Sequence, residues 1–340
     1  MIENALAIEP DAADRLILDE AAAMLPGANV LVIGSLALLG AARSAGAAIV
    51  LGWFDSALDA EQAVALGFEV RTTAMDVDVV LMRLPKSLRE LDSIARAIAA
   101  TAKKSVVVFA GGRLKYMTPR MNDVLSASFD RVDVSLARQK SRVLSARGPR
   151  PVVVPEPTLI RVEELDLVVG SVGGVFASEA LDLGTRALVA EFDGLPEYER
   201  AIDLGSGTGI LAAQLKRRRP AATVVASDLS ADAVASARST MLANGLDVEV
   251  VQETALAGQS DASADLIVLN PPFHDGGPIS TNLAAPLFAA AARVLKPGAQ
   301  LWTVFNSSLG YRSELDRVVG PTRQVSRTAK FTVTASVRRP

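Results

Sequence analysis

Asp265-Leu266-Ile267-Val268-Leu269-Asn270-Pro271-Pro272-Phe273-His274 decides the reading of this chain. Four consecutive apolar residues, Leu266 to Leu269, end abruptly in Asn-Pro-Pro-Phe. Two consecutive prolines fix φ twice and remove two backbone donors, so the strand stops and the loop that follows is stiff. A strand ending in a rigid loop with an amide, exposed carbonyls and an aromatic ring can hold a flat, hydrogen-bonding ligand. The same residues also suit a proline-stopped strand with a core phenylalanine, and the surrounding sequence has to separate the two.

Upstream, Arg200-Ala201-Ile202-Asp203-Leu204 reads as a strand running straight into Gly205-Ser206-Gly207-Thr208-Gly209 and a helix. Glycines allow a tight turn and close approach of a ligand to the backbone. A dinucleotide loop has its third glycine where Ile210 stands here, which disfavours a nicotinamide dehydrogenase. Asp203 beside the loop suits a ligand with a cationic amino group better than a pyrophosphate, which it would repel. The next strand, Thr223 to Ser227, ends in Asp228, placed to accept ribose hydroxyls or to cap a helix. Ser230 is expected to cap the helix from Ala231 to Leu242. Loop, acid and Asn-Pro-Pro-Phe all fall at carboxyl ends of parallel strands, where open α/β sheets bind ligands.

The first half alternates in the same way: strands at 29–33, 47–51, 78–82 and 105–109, with helices between them. This implies an α/β fold of two tandem Rossmann-like domains with mostly parallel sheets. Phe331 to Val337 alternates as a last antiparallel strand of the second sheet. Four prolines and a glycine between Arg147 and Pro157 mark a boundary, giving domains at 1–150 and 173–340 joined by a connecting segment at 151–172.

Composition narrows the function. The 340 residues are half hydrophobic, carry a net charge of −3 and include no cysteine and one histidine. That excludes a disulfide framework, a thiolate site and a multi-histidine metal centre. The acidic start at Met1 to Asp14 lacks the pattern of a signal peptide, and the apolar runs are too short to span a bilayer. A cytoplasmic protein without membrane or metal partners is expected, as a monomer. The net charge predicts no bulk attraction to nucleic acid, so such binding requires local patches.

Asp203-Leu204-Gly205-Ser206-Gly207-Thr208-Gly209, Asp228 and Asn270-Pro271-Pro272-Phe273 together resemble the motifs of class I S-adenosylmethionine-dependent methyltransferases that modify planar nitrogens. The segment from Gly174 through Phe176 to Thr185, with His274-Asp275-Gly276, resembles more narrowly the bacterial ribosomal RNA guanine-N2 methyltransferases. The likeness is close over residues 173 to 338 and looser over the first half, since that family is built from two methyltransferase-like domains. It implies methylation of a guanine N2 in ribosomal RNA or a ribosomal subunit, with S-adenosylmethionine as cofactor. Asn270 and the Pro271 carbonyl would accept the two amino hydrogens, and Phe273 would stack on the base. Asp203 and the backbone of Gly205, Ser206, Gly207, Thr208 and Gly209 would hold the methionine end of the cofactor. Asp228 would take the ribose, Leu229, Thr254 and Ala255 would flank the adenine, and Phe176 would close over it. His274 reads as a loop-stabilising or RNA-contacting residue rather than a base. Rival readings are methylation of a protein glutamine or of adenine N6, and a non-catalytic RNA-binding or assembly factor.

The duplication can be read within the chain. Laying Val30 to Ser35 on Ala201 to Ser206 puts Val32 at Asp203, Leu36 at Gly207, Leu38 at Gly209, Asp55 at Asp228 and Arg83 at Asn270. The first half therefore reads as a degenerate copy with no cofactor and with RNA binding as its role. Arg83, Lys86, Arg113, Lys115, Arg138, Lys140 and Arg142 are its candidate phosphate contacts, and a merely solvated surface is the rival account.

Overall fold

A computed structural model describes residues 8–154, 156–173, 175, 181–271 and 284–340. The chain divides into two compact units, Met1–Glu156 and Pro157–Pro340.

In the first unit, strands β1 (Asn29–Ile33), β2 (Ile49–Trp53), β3 (Glu69–Val70), β4 (Val79–Arg83), β5 (Val107–Arg113), β6 (Phe129–Val134) and β7 (Ser141–Pro149) form one sheet in the order 3-2-1-4-5-7-6. The first five run parallel, and β7 is antiparallel to both β5 and β6. Helices α1 (Ala12–Ala21), α2 (Leu36–Ser44), α3 (Ala57–Ala65), α4 (Leu88–Thr101) and α5 (Arg120–Ser128) cover the faces. The strands are apolar on both sides because each face carries its own core. Val30, Val32, Leu81 and Phe109 point into one core, and Leu31, Val80, Met82 and Val108 into the other.

The second unit begins with a hairpin, β8 (Thr158–Val162) and β9 (Leu167–Ser171), and continues with α6 (Leu183–Val189), β10 (Arg200–Leu204), α7 (Ile210–Arg218), β11 (Thr223–Asp228), α8 (Ala231–Asn244) and β12 (Glu249–Gln252). It ends with β13 (Ala264–Leu269), α9 (Ala284–Val294), β14 (Leu295–Asn306), α10 (Arg312–Val318), β15 (Thr322–Arg327) and β16 (Phe331–Val337). Its main sheet has the order 12-11-10-13-14-16-15, the same winding as the first, with β16 antiparallel to β14 and β15. Both cores are again separate, with Trp302 wholly buried on one face and Phe288 on the other.

Register shows which residues of the two units correspond. Val30 pairs with Val50 and Val79 in the first unit, as Ala201 pairs with Val224 and Leu266 in the second. Asp78 accepts from the amide of Asn29 and pairs with Lys103, and Asp265 accepts from that of Arg200 and pairs with Lys296. On this register Arg83 stands at the place of Asn270. Asp55, however, lies one residue past the place of Asp228; Phe54 occupies it. Gly34 donates to the Trp53 carbonyl as Gly205 donates to that of Ser227, so the next residues, Phe54 and Asp228, are equivalent. The Phe54 ring is buried, while Asp55 is exposed.

The connecting segment is structured where the sequence pointed to a linker. Strand β9 offers a free backbone edge, and side chains of α8 pair with it. Thr240 Oγ1 accepts from Gly170 N at 2.9 Å, Ser236 Oγ from Val172 N at 2.9 Å and Asn244 Oδ1 from Val168 N at 3.0 Å. These three lie four residues apart on one helix stripe, so α8 turns polar groups inward where an amphipathic helix would place apolar ones. A Cβ added to Gly170 would stand 2.5 Å from Ser239. Thr240→Val leaves a buried N–H without a partner and is expected to cost about 1–3 kcal/mol of unfolding free energy in urea titrations. Gly170→Ala is expected to destabilise as well, by pushing β9 off α8.

Candidate active site

The carboxyl ends of β10, β11 and β13 meet at one edge of the second sheet. Leu204 pairs with Ser227 and with Leu269, so Gly205, Asp228 and Asn270 are each the next residue or the last of its strand. The loop 205–209 folds against β11: Gly205 N and Ser206 N donate to the Ser227 carbonyl at 2.8 and 3.0 Å, and Gly207 N donates to Asp228 Oδ2 at 2.8 Å. Gly205 and Gly207 have φ of +71° and +54°, and a Cβ on either would enter open space. Their glycine identity is thus set by backbone conformation and by the clearance in front of the loop. Gly209, with φ of +80°, has a further reason, since a Cβ there would sit 2.8 Å from Met241 Cε and 3.0 Å from Ala237 Cβ of α8.

Asp203 is wholly buried beneath this loop. Its Oδ2 accepts from Ala212 N at 2.9 Å, so it caps the first turn of α7, which begins at Gly209 without a side-chain cap of its own. Its Oδ1 is buried with no hydrogen-bond partner among the described residues. Burial is the main reason its pKa is pushed up to about 7; the Ala212 amide pulls it down, and the nearby Asp228 charge raises it. A cation at Oδ1 would favour the ionised form and reverse that balance. Ser206 Oγ and Ser227 Oγ are likewise buried without partners among the described residues.

Asp228, half-buried, ties the loop to the following helix, accepting from Gly207 N and, through Oδ1, from Ser230 N at 2.9 Å. Ser230 caps α8, as the sequence indicated. Leu229 is exposed beside it. Thr254 and Ala255 follow the adjacent strand β12, in a loop where Ala255 and Leu256 both adopt left-handed backbone, with φ of +47° and +59°. Glu253 N donates to the Asp228 carbonyl at 3.0 Å and brings this loop beside β11.

Asn270 has a defined orientation. Its Nδ2 donates to Asp182 Oδ2 at 2.6 Å and Thr185 Oγ1 at 3.0 Å, and its Oδ1 is buried without a partner among the described residues. Asp182, at the start of α6, was missed by motif reading. Asp182 is the cap, accepting from Gly184 N and Thr185 N at 2.9 Å each. The signal was present in Asp182-Leu183-Gly184-Thr185, an acid three residues before a hydroxyl at the start of a helix. Pro271, buried, completes the described part of this strand end; Phe176, Pro272, Phe273 and His274 lie outside the described residues.

The first unit is built differently at the same place. Helix α2 begins at Leu36, directly after Gly34-Ser35, so a helical turn fills the span that the loop 205–209 occupies in the other unit, and Leu38 is wholly buried. Arg83 does not face solvent as a phosphate contact. Its Nη1 bonds Asp11 Oδ1 at 2.6 Å and Asp14 Oδ1 at 3.0 Å. Although burial pushes Asp11 up, hydrogen bonds from Arg83 and from the α1 amides pull its pKa down to about 2. Arg138 is paired with Asp19 and Glu20. Arg142 is half-buried with its Nε enclosed. Lys140 sits exposed in a tight turn with φ of +58°. Lys86 and Lys115 instead gather on Tyr116, their ammoniums 5.2 and 4.5 Å from its ring centre.

Comparison with known proteins adds the family. Residues 166–335 match the model "Methyltransferase small domain" and residues 55–150 match "RLMG N-terminal domain". The ribosomal RNA large subunit methyltransferase G of Pseudomonas entomophila is 33% identical over 95% of this chain and 91% of its own. That of Shewanella amazonensis is 32% identical over 76% of this chain and 69% of its own. The chain belongs to the ribosomal RNA large subunit methyltransferase G family. A solved structure described as the T. thermophilus 16S rRNA N2 G1207 methyltransferase (RsmC) with AdoMet and guanosine has a TM-score of 0.81 over 97% of this chain and 92% of its own, at 20% identity, and shares the fold. The tandem methyltransferase fold expected from the sequence is thus the observed one. Among the described residues no group of histidine, cysteine or acidic side chains could hold a metal, and no helix is long and apolar enough to cross a membrane.

The Asp203 carboxyl keeps its proton in the folded protein well above the ordinary 3.8, up to about 7. Folding therefore favours the protonated form, and the stability this contributes falls as pH rises from about 4 to about 7. Asp203→Asn is expected to remove that slope. In denaturant titrations across this range, the stability of the parent relative to Asp203→Asn should decline with rising pH; a difference that stays flat contradicts the assignment.

Proposed function

We propose that this methyltransferase uses S-adenosylmethionine to methylate the exocyclic N2 of a guanine in ribosomal RNA, with chemistry confined to the second unit. The observation that carries this reading is the Asn270 amide, whose nitrogen is anchored and whose buried oxygen has no partner among the described residues. An acceptor held in that way at a strand end suits an amino group with two hydrogens to give.

The residues present fit the cofactor. Asp203 Oδ1 is a buried carboxylate oxygen placed to meet an ammonium, and loop 205–209 leaves clearance at two glycines. Asp228 would take the ribose hydroxyls, and Leu229, Thr254 and Ala255 would flank the adenine. When bound, the cofactor supplies an electrophilic methyl on a sulfonium. The chain's part is to place the acceptor nitrogen. That nitrogen is a poor nucleophile because its lone pair is delocalised into the ring. Hydrogen bonds from it to Asn270 Oδ1 and the Pro271 carbonyl orient it and offset the positive charge that develops as the new bond forms. Phe273 stacks on the base, which has to leave any helical stack to enter the site. No strong base is required, since the methylated nitrogen becomes acidic and sheds its proton to water. Relatives named for the large subunit favour that subunit's RNA as substrate.

The first unit binds RNA. Once Arg83 and Arg138 are committed to carboxylates, the cations left over from the seven are concentrated at the carboxyl ends of β4 and β5. Lys86, Arg113 and Lys115 surround Tyr116, whose ring is 48% exposed, and none of the three has a carboxylate in salt-bridge range among the described residues. A hydrogen bond from Lys115, with Lys86 and Arg113 beyond it, lowers the Tyr116 pKa. Mutually repelling cations around an exposed ring suit a polyanion with flat bases.

Labelled cofactor offered to separated ribosomal subunits, naked ribosomal RNA and release factors is expected to place label in N2-methylguanosine. Label confined to protein or to N6-methyladenosine, or no transfer despite cofactor binding, rules the reading out. Asn270→Ala is expected to lower transfer at least about a hundredfold with cofactor affinity nearly intact. For the first unit, Tyr116→Ala is expected to weaken binding of a single-stranded RNA about tenfold or more in anisotropy titrations, while Tyr116→Phe does not. Replacing Lys86 and Lys115 by alanine should lower the salt slope by about 0.7 for each phosphate that is no longer neutralised.

A further inference from the structure

We infer that Asp182 and Thr185 are positioning residues that choose which edge of the Asn270 amide faces the reacting amino group. The inference rests on the reading of Asn270 as the acceptor. An asparagine side chain is nearly symmetric in shape but opposite in chemistry at its two ends, one a double donor and the other an acceptor. Sterics do not distinguish the two orientations; only hydrogen-bonding neighbours do.

Here both neighbours are acceptors toward Asn270. Asp182 Oδ2 is 2.6 Å from Nδ2. Thr185 Oγ1, 3.0 Å from Nδ2, has already committed its proton to Asp182 Oδ2 at 2.8 Å, so it too can only accept. The carboxylate is in turn held by the amides of Gly184 and Thr185 at the start of α6. Turning the amide over would set its oxygen against a carboxylate oxygen and a hydroxyl with no proton to offer. The nitrogen is therefore forced toward the helix and the oxygen toward the ligand side.

The first unit supplies an independent observation. Arg83, at the equivalent strand end, bonds the helix cap Asp11 and the residue three positions later, Asp14, at 2.6 and 3.0 Å. Asp182 and Thr185 stand in the same cap and cap-plus-three relation. The duplicated fold kept a clamp between this strand end and the preceding helix, and the polarity of the clamp always faces donors from the strand. A guanidinium has only donors to give, so whatever the clamp leaves over cannot accept an amino hydrogen. An amide gives its donors and has an oxygen left over. In the first unit Ser35 Oγ also donates to Asp14 at 3.1 Å, whereas its counterpart Ser206 Oγ has no partner among the described residues.

The test uses the full-length protein. Asp182→Asn retains a good helix cap but replaces an oxygen facing Asn270 with an NH2, which favours the flipped amide. Thr185→Val removes one acceptor at nearly constant shape, and Thr185→Ser restores it. Asp182→Asn is expected to lower kcat on the order of a hundredfold and Thr185→Val about tenfold, with KM and cofactor affinity within about twofold and Thr185→Ser near the parent. In ¹⁵N-labelled protein, the Asn270 side-chain NH2 resonances, assigned by their loss in Asn270→Ala, are expected to shift in Asp182→Asn and Thr185→Val and to stay in place in Asp11→Asn. Unmoved amide resonances, or kcat lost only in proportion to cofactor affinity or folded fraction, would overturn the inference. The resonance measurement needs no substrate, so it stands even if the label appears in something other than guanine N2.

Discussion

The hydrogen bonds from the residue at the carboxyl end of the fourth strand in each sheet to the start of the helix before that sheet are the constraint on which the rest depends. In the second unit they run from Asn270 to Asp182 and Thr185, and in the first from Arg83 to Asp11 and Asp14. Each joins a central strand to a helix that precedes the sheet in the chain, and so ties that helix to the carboxyl end of the strand. The difference between the units is electrostatic. The Arg83 cation is met by two carboxylates, and with Asp14 buried and Arg83 half-buried, stripping Asp14 of its partner would cost on the order of a few kcal/mol. A neutral amide is satisfied by one carboxylate and a hydroxyl, and it retains an acceptor for chemistry.

The glycine loop follows the same division of labour. In the second unit, the five residues 205–209 form a loop tied to Asp228, and Asp203 is buried below to cap α7. In the first unit the helix starts three positions earlier relative to the strand, Phe54 stands at the place of Asp228, and Val32 stands at that of Asp203. Each exchange replaces a polar side chain with an apolar one that needs no hydrogen-bond partner. Burying a polar group without a partner costs about 1–3 kcal/mol, so apolar residues at these places stabilise the first unit. The second unit keeps oxygens without partners among the described residues on Asp203, Ser206, Ser227 and Asn270, around the carboxyl ends of its strands.

Much of this was legible in the sequence. Strand and helix order, the loop at 205–209, Asp228 and Asn270 could all be placed because apolar runs, glycines and prolines report local backbone preference. The equivalence of Asp55 with Asp228 failed because two acids can be aligned by chemistry while the strand register lies one residue away. The hairpin 158–171 was hidden by the prolines before it and by the source of its stability, which is the polar stripe Ser236, Thr240 and Asn244 on α8. Arg83 and Arg138 resembled phosphate contacts because a basic residue in sequence carries no record of the carboxylates that fold against it.

By itself, then, the sequence determined where the strands stop and which side chains stand at their ends, because φ restriction at Pro271 and permissiveness at Gly205 and Gly207 are properties of single residues. It also carried the family likeness. Only the tertiary structure decided which of those side chains are used up and which are left with something to offer. Asn270 and Asp182 are 88 residues apart, and the direction of an amide is set by what lies across a fold from it. Hydrogen-bond satisfaction is a property of pairs, and pairs distant in sequence exist only once the chain has folded.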